Sequence, residues 1–298
     1  MQLEWLNHFQ KIKHSMQIDK LPPLRDVISH YDLEAKKSLG QNFLHDLNLT
    51  SKIALLSGPL NNSTVLEIGA GPGALTRGLL ASGAKKVIAI ERDKRCIPPL
   101  VDISNFYGGK LEILEIDALK YELTDIKETK NLKIISNLPY NIGTELLVKW
   151  LTPEIWPPIW NDMTLMFQKE VAERIVAQPG TKAYGRLSVL AQWRSDVKIE
   201  MTVTPEAFRP KPKVHSSVVC IKATKKPKYY ANQKILENLV KAGFGQRRKM
   251  IRSSLKTFNA NITKYLLLAG VSPTMRAENL SIADWCFLAE LIEKNNPN

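Results

Sequence analysis

Long hydrophobic runs are missing from this chain of 298 residues: purely apolar stretches stop at about five residues, as around Val87 to Ile90. A bilayer span needs ~20, so no segment reads as transmembrane. The first residues (MQLEWLNHFQKIKH) lack an apolar core and a small-residue cleavage site, so they do not read as a secretory signal. Cysteine is scarce: Cys96, Cys220 and Cys286 lie far apart with no CxxC, and the five histidines are scattered. That excludes a disulfide framework, argues against a zinc site, and fits the reduced thiols of a cytoplasmic protein. Glycine and proline are not enriched, and 44% hydrophobic with 24% charged residues excludes disordered, collagenous and low-complexity classes. The length accommodates one large or two medium domains.

Acidic residues are also in short supply, and unevenly so. The net charge is +13. Residues 205–256 hold 14 Lys and Arg against Glu206 and Glu237 alone. Such a concentration points to a polyanionic partner, most often nucleic acid. Arg209, Lys211 and Lys213 are candidate RNA contacts on one side of this stretch, and Arg247, Arg248, Lys249 and Arg252 on the other.

What is present is an alternation of strand and helix. Short β-branched runs at 64–68, 86–90, 111–116, 132–136 and 163–167 are separated by helical patterns at 47–57, 74–81, 98–106, 144–151 and 170–177. Residues 197–203 and 216–221 alternate and suit a terminal hairpin. This is an α/β pattern, doubly wound with a mainly parallel sheet. Residues 222–232 (KATKKPKYYAN) read as a basic linker. Four helical segments follow, at 233–244, 248–257, 262–268 and 282–293. The expected organisation is a lead-in over 1–38, an α/β domain over 39–224, and a small helical RNA-binding domain over 225–298.

The chemistry concentrates at strand ends. Gly69-Ala70-Gly71-Pro72-Gly73 joins a strand to a helix, where glycines let a ligand approach the backbone. Gly69-x-Gly71-x-x-Ala74 satisfies a relaxed dinucleotide pattern, with Glu91 as the ribose acid. Three features tilt it toward S-adenosylmethionine. The glycines repeat at two-residue spacing, Pro72 stands where a pyrophosphate would want an N–H, and a second strand ends in Asp117, suited to an adenine amino group. A fourth strand ends in Asn137-Leu138-Pro139-Tyr140. An adenine amino group is a poor nucleophile because its lone pair is delocalised into the ring. The Asn137 side-chain oxygen and the Leu138 carbonyl could accept its two hydrogens and localise that lone pair. Tyr140 could stack on the base. Catalysis would then be positioning plus electrostatics.

Five blocks in order carry a resemblance: Lys37-Ser38-Leu39-Gly40-Gln41-Asn42-Phe43-Leu44, the loop Glu67 to Gly73, Asn137 to Tyr140, Phe208-Arg209-Pro210-x-Pro212-Lys213-Val214 with Ser216-Ser217-Val218, and Phe244-Gly245-Gln246-Arg247-Arg248-Lys249. Over about Leu21 to Leu288 the chain resembles the bacterial KsgA-type adenine dimethyltransferases of small-subunit (16S) ribosomal RNA. The resemblance implies a Rossmann-like methyltransferase domain with a helical C-terminal domain. It implies dimethylation of two adjacent adenines in the 3′-terminal hairpin of 16S rRNA, within small-subunit biogenesis. It assigns cofactor contacts to Asn42, Leu44, Gly69, Glu91, Asp117 and Asn137, and makes Phe208 the aromatic that closes over the target base opposite Tyr140. Ala70 departs from relatives with proline there, and the first twenty residues have no counterpart. The expected partner is the small ribosomal subunit, with no membrane and no metal, for a cytoplasmic monomer. The alternatives are an Erm-type 23S rRNA methylase, which shares Asn-Leu-Pro-Tyr, a nucleic-acid-binding assembly factor, and a dinucleotide oxidoreductase.

Overall fold

Alternating β-branched runs and Ala/Leu-rich segments build a sheet flanked by helices. A computed structural model describes residues 19–35, 39–127 and 130–295. Residues 1–18 of the lead-in, and Lys37 and Ser38 of the first motif, lie outside the described residues. The elements are α1 (Leu24–His30), β1 (Phe43–Leu44), α2 (Leu47–Leu55), β2 (Thr64–Ile68), α3 (Ala74–Ala81), β3 (Lys86–Ile90), α4 (Ile97–Phe106), β4 (Leu111–Leu114) and β5 (Leu132–Asn137). Next come α5 (Gly143–Leu151), β6 (Trp160–Gln168), α6 (Lys169–Val176), α7 (Arg186–Arg194), β7 (Ser195–Val203), β8 (Phe208–Arg209) and β9 (Ser216–Ala223). The last are α8 (Gln233–Gly245), α9 (Ile251–Ser254), α10 (Ile262–Leu268) and α11 (Ile282–Asn295).

Seven strands form one sheet in the order β4-β3-β2-β5-β6-β9-β7, and β1 pairs with β8 separately. The pairs β4–β3, β3–β2, β2–β5 and β5–β6 are parallel. Every residue of β2 is buried, as expected of a strand covered on both faces. From β2 the chain winds outward through β3 and β4, then crosses back to β5 and β6. The switch point therefore lies between β2 and β5, and ligands in such sheets bind there, beyond the carboxyl ends of the strands. Gly69 follows β2, Glu91 follows β3, and Asn137 ends β5.

The chain divides into two compact units. One comprises residues 1–146, 159–169 and 199–220, and the other 147–158, 170–198 and 221–298. The second unit is thus larger than the continuous stretch 225–298. It takes in the end of α5, most of α6 and also α7, a helix that sequence periodicity misses. Ser188 to Arg194 are all buried, so α7 has no polar face to reveal a 3.6-residue period. Tyr184, Val189, Leu190 and Trp193 join Leu236, Leu239, Val240, Leu266, Trp285 and Leu288 in one apolar cluster. Strand β4 is shorter than its pattern, ending at Leu114, and α9 is cut to Ile251–Ser254 by a turn in which Lys249 N donates to Gln246 O at 2.9 Å.

In the first unit the lead-in residues Asp19–Leu33 are fastened behind the glycine loop. Arg77 of α3 is 1% exposed. Its guanidinium pairs with Asp19, donates to Pro22 O at 2.6 Å, and reaches Leu21 O at 3.3 Å. Tyr107 OH donates to Asp19 at 2.8 Å, and Tyr31 OH to Asp102 at 2.5 Å. Removing one partner of such a buried pair strands the other. Arg77→Ala should destabilise the first unit by about 3–5 kcal/mol in urea unfolding; a loss under about 1 kcal/mol would show that the clamp carries no stability.

Glu67, in the middle of the fully buried β2, accepts from Thr76 Oγ1 at 2.6 Å. Burial, with Glu91 nearby, pushes its carboxyl up to about 8. The unfolded chain therefore ionises at lower pH than the folded one, and folding loses stability as pH rises from about 4.5 to about 8. Glu67→Gln should remove that loss, gaining on the order of 2–4 kcal/mol relative to the parent at pH 8 over pH 5. Parallel urea titrations at the two pH values measure it; identical pH dependence in both proteins would contradict a neutral Glu67.

Candidate active site

Three sequence blocks meet at the switch point of the first unit. They form an open cleft lined by Leu39 to Leu44, Glu67 to Pro72, Glu91, and Asn137 to Ile142, among others. The blocks touch closely. A Cβ on Gly69 would lie 3.0 Å from the Pro139 ring, and one on Gly71 would lie 3.1 Å from Phe43. Both glycines have positive φ, +70° and +55°, so any other residue would be strained as well as crowded.

The backbone N–H groups of the loop are already used. Gly69 N donates to Ile90 O at 2.7 Å, Ala70 N to Ile90 O at 3.4 Å, and Gly73 N to Ala70 O at 3.0 Å. Gly71 N donates to Glu91 Oε2 at 2.7 Å, and Pro72 has no N–H. Phosphate-binding glycine loops aim these donors at the ligand. This one aims none at a pyrophosphate, and acidic side chains line the cleft instead. The geometry therefore disfavours the pyrophosphate of a dinucleotide.

Glu91 is held in place by the backbone. Its Oε1 accepts from Asp93 N at 2.7 Å, opposite the Gly71 bond. A carboxylate offers about four acceptor positions, so these bonds do not exhaust it. Burial raises its affinity for a proton, and the hydrogen bonds from Asp93 and Gly71 counteract this. Asp93 in turn ties three segments together. It accepts from Gln41 Nε2 at 3.0 Å and from Arg95 Nη2 at 2.7 Å, while Arg95 reaches Glu34 O at 3.1 Å. The Arg95 contacts, then Gln41, hold the Asp93 carboxyl down at about 2. Sequence reading missed both Asp93 and Gln41. A second acid two residues after Glu91 was the available signal.

Asn137 is the most informative side chain. Its Nδ2 donates to Asn42 O at 3.2 Å, which turns Oδ1 away from that carbonyl. Asn137 is partly exposed, whereas the Leu138 side chain is buried and contributes its backbone. The turn closes on Pro139 O, which accepts from Gly143 N at 3.0 Å and opens α5. Tyr140 is anchored through its hydroxyl, 2.8 Å from Ser216 Oγ. Burial raises its pKa, so the phenol stays protonated.

Two expected residues are placed differently. Phe208 is not among the residues that line the cleft: it is 1% exposed and packs in the apolar core, opposite Leu44 across β1 and β8. The Asp117 carboxylate caps a short helical turn, accepting from Leu119 N at 3.1 Å, and lies 3.4 Å from Arg92. Its neighbours Ile116 and Ala118 line the cleft. Leu44 and Asn42 line it as expected.

Among the basic residues, Arg209, Lys211 and Lys213 are exposed in the first unit, with Lys211 paired to Glu206. Arg248, Lys249 and Arg252 are exposed in the second. Arg247 serves the fold: it pairs with Glu278 at 2.9 Å and donates to Lys182 O and Tyr184 O. Among the described residues no group of three or more His, Cys, Asp or Glu is placed to hold a metal, and no helix is long and apolar enough to cross a membrane. Burial pushes the Cys96 and Cys286 thiols up to about 12, which makes them unreactive.

Comparison with known proteins agrees with this geometry. A family model described as ribosomal RNA adenine dimethylase matches residues 32–294. Ribosomal RNA small subunit methyltransferase A of Dinoroseobacter shibae is 56% identical over 276 residues, covering 93% of this chain and 98% of that protein. Its namesake in Paracoccus denitrificans is 57% identical over 273 residues, covering 91% and 96%. Among solved structures, a dimethyladenosine transferase from Plasmodium falciparum is similar with a TM-score of 0.69 and 27% identity, covering 85% of this chain and 98% of that one. The 23S rRNA methyltransferase ErmE is similar with a TM-score of 0.63 and 25% identity, covering 84% and 98%. A donor-depleted, acid-lined cleft at the switch point of a Rossmann-like sheet, closed by Asn-Leu-Pro-Tyr, thus accompanies a match over most of the chain: the protein belongs to the ribosomal RNA adenine dimethylase family, enzymes that methylate adenine with S-adenosylmethionine.

Proposed function

We propose that this enzyme dimethylates two adjacent adenines in the 3′-terminal hairpin of 16S rRNA within the small ribosomal subunit. The observation that carries the reading is the orientation of Asn137, whose Nδ2 is committed to Asn42 O. Its Oδ1 and the Leu138 carbonyl are the acceptors for the two hydrogens of the adenine amino group. The choice of small-subunit RNA over 23S RNA is supported by relatives at 56% and 57% identity, against 25% for ErmE.

The residues of the cleft fit S-adenosylmethionine. Bound there, it supplies an activated methyl group. Glu91 would accept from the ribose hydroxyls, and Gly69, Asn42 and Leu44 line the same cleft. The target adenine leaves its stack to enter the cleft, and the Tyr140 ring, fixed through Ser216, supports it. Asn137 and the Leu138 carbonyl hold the amino nitrogen in line and favour a localised lone pair. No residue has to remove a proton before attack, so the chain supplies position and electrostatics. The monomethylated amine keeps one N–H for a single acceptor, which permits the second transfer. In this role the enzyme acts as a cytoplasmic monomer, and methyl transfer of this kind requires no metal. Exposed Arg209, Lys211, Lys213, Arg248, Lys249 and Arg252 are read as phosphate contacts, which position RNA without reading sequence.

Asn137→Ala should cut methyl transfer to unmethylated small subunits at least about 100-fold while changing their binding less than about threefold; labelled methyl incorporation and filter binding measure the two, and near-normal turnover would sink the assigned role. Arg248→Glu with Lys249→Glu should weaken subunit binding and flatten its dependence on salt, with cofactor affinity unchanged. An unaltered salt slope would show that these charges do not meet phosphate.

A further inference from the structure

Residues 222–232 have a linker's composition, but the structure seats them as a cap on α7. Thr224 N and Oγ1 both donate to Arg194 O, at 3.0 and 2.8 Å, and Lys228 N donates to Trp193 O at 3.1 Å. The last carbonyls of the helix are thereby satisfied. Two indoles also hold the segment: Trp193 Nε1 donates to Tyr229 O and Trp156 Nε1 to Thr224 O, each at 2.8 Å. Beneath them the Arg194 guanidinium lies 3.8 Å from the Trp193 ring centroid and 5.1 Å from that of Trp156, and donates to Gln233 at 2.7 Å. The backbone of the segment is therefore fixed before any partner arrives.

What this fixed backbone presents is unusual for a linker. Lys222, Lys225, Lys226 and Lys228 are exposed, Lys228 pairing with Asp196 at 3.0 Å, and the segment itself contains no acidic residue. Tyr229 is 47% exposed and Tyr230 62%. The Tyr230 hydroxyl donates to Glu293 at 2.9 Å, which restrains the ring without covering it. Two large aromatic rings left in water on an anchored loop, among lysines, match the way unpaired nucleotides are held: bases stack on the rings and phosphates meet the cations. An apolar protein surface would not call for four lysines in eleven residues.

We infer that residues 222–232 form a second RNA site, in which Tyr229 and Tyr230 stack on unpaired bases of the substrate RNA while Lys225 and Lys226 meet its phosphates. The inference rests on small-subunit RNA being the substrate. Its use would be to hold RNA through a preorganised surface that does no chemistry.

The test is filter binding of unmethylated small subunits, and of protein-free small-subunit RNA, at several salt concentrations, with cofactor affinity measured alongside. Tyr229→Ala with Tyr230→Ala should weaken binding to both about tenfold, with the salt slope and cofactor affinity unchanged. Tyr229→Phe with Tyr230→Phe should bind like the parent, because stacking uses the ring. Lys225→Glu with Lys226→Glu should flatten the salt slope. Parent-like binding by the double alanine variant would overturn the site. So would a tyrosine dependence seen with the subunit but not with protein-free RNA, since the partner would then be a ribosomal protein. Failure of the parent itself to bind or methylate small subunits would instead overturn the substrate reading, and the site with it.

Discussion

The hydrogen bond from Asn137 Nδ2 to Asn42 O decides what this cleft can do. An amide has a donor end and an acceptor end, and only the acceptor end can hold an amino group that must stay nucleophilic. Spending the donor on a backbone carbonyl removes the ambiguity before substrate arrives. The rest of the site keeps that carbonyl where it is. Gln41, beside Asn42, is held by Asp93, and Asp93 by Arg95. The next residue, Phe43, packs against Gly71, whose N–H is on Glu91. Pro139 packs against Gly69. Glu91, the glycine loop and the Asn137 turn are therefore one connected structure rather than three adjacent ones.

The same loop explains ligand choice. Glycine-rich turns between a strand and a helix serve phosphates when their N–H groups point outward. Here the turn folds its donors back onto Ile90, Ala70 and Glu91. It keeps the close approach that glycine allows and discards the anion site. Glu67, neutral below about 8, lines the cleft without adding a full second charge beside Glu91.

Much of this was legible in the residues. The strands ending at Ile68, Ile90 and Asn137 follow from β-branched runs, and α3 was read with its observed bounds because its apolar spacing is regular. Strand-end motifs singled out Glu91, the glycines and Asn137, which the fold brings to one cleft, because polar residues directly after apolar runs mark strand ends. Three things were not legible, each for a physical reason. Helix α7 is buried on every side and has no amphipathic period. Phe208 could be read as either a stacking ring or a core ring, and only the tertiary packing around it shows a buried core ring. The segment 222–232 has a linker's composition, and its anchoring to Trp193 and Arg194 depends on a helix that the pattern did not reveal. Arg77 illustrates the same limit. A cation amid helical apolar spacing signals a buried partner, but nothing local names Asp19.

The central claim concerns which atoms face the adenine, and the most direct measurement is a crystal structure of the chain with S-adenosylhomocysteine and adenosine monophosphate. Asn137 Oδ1 and the Leu138 carbonyl should lie about 3 Å from the adenine amino nitrogen, with Nδ2 still on Asn42 O. An adenine amino group turned away from both acceptors, or an Asn137 amide flipped so that Nδ2 faces the base, would contradict the account.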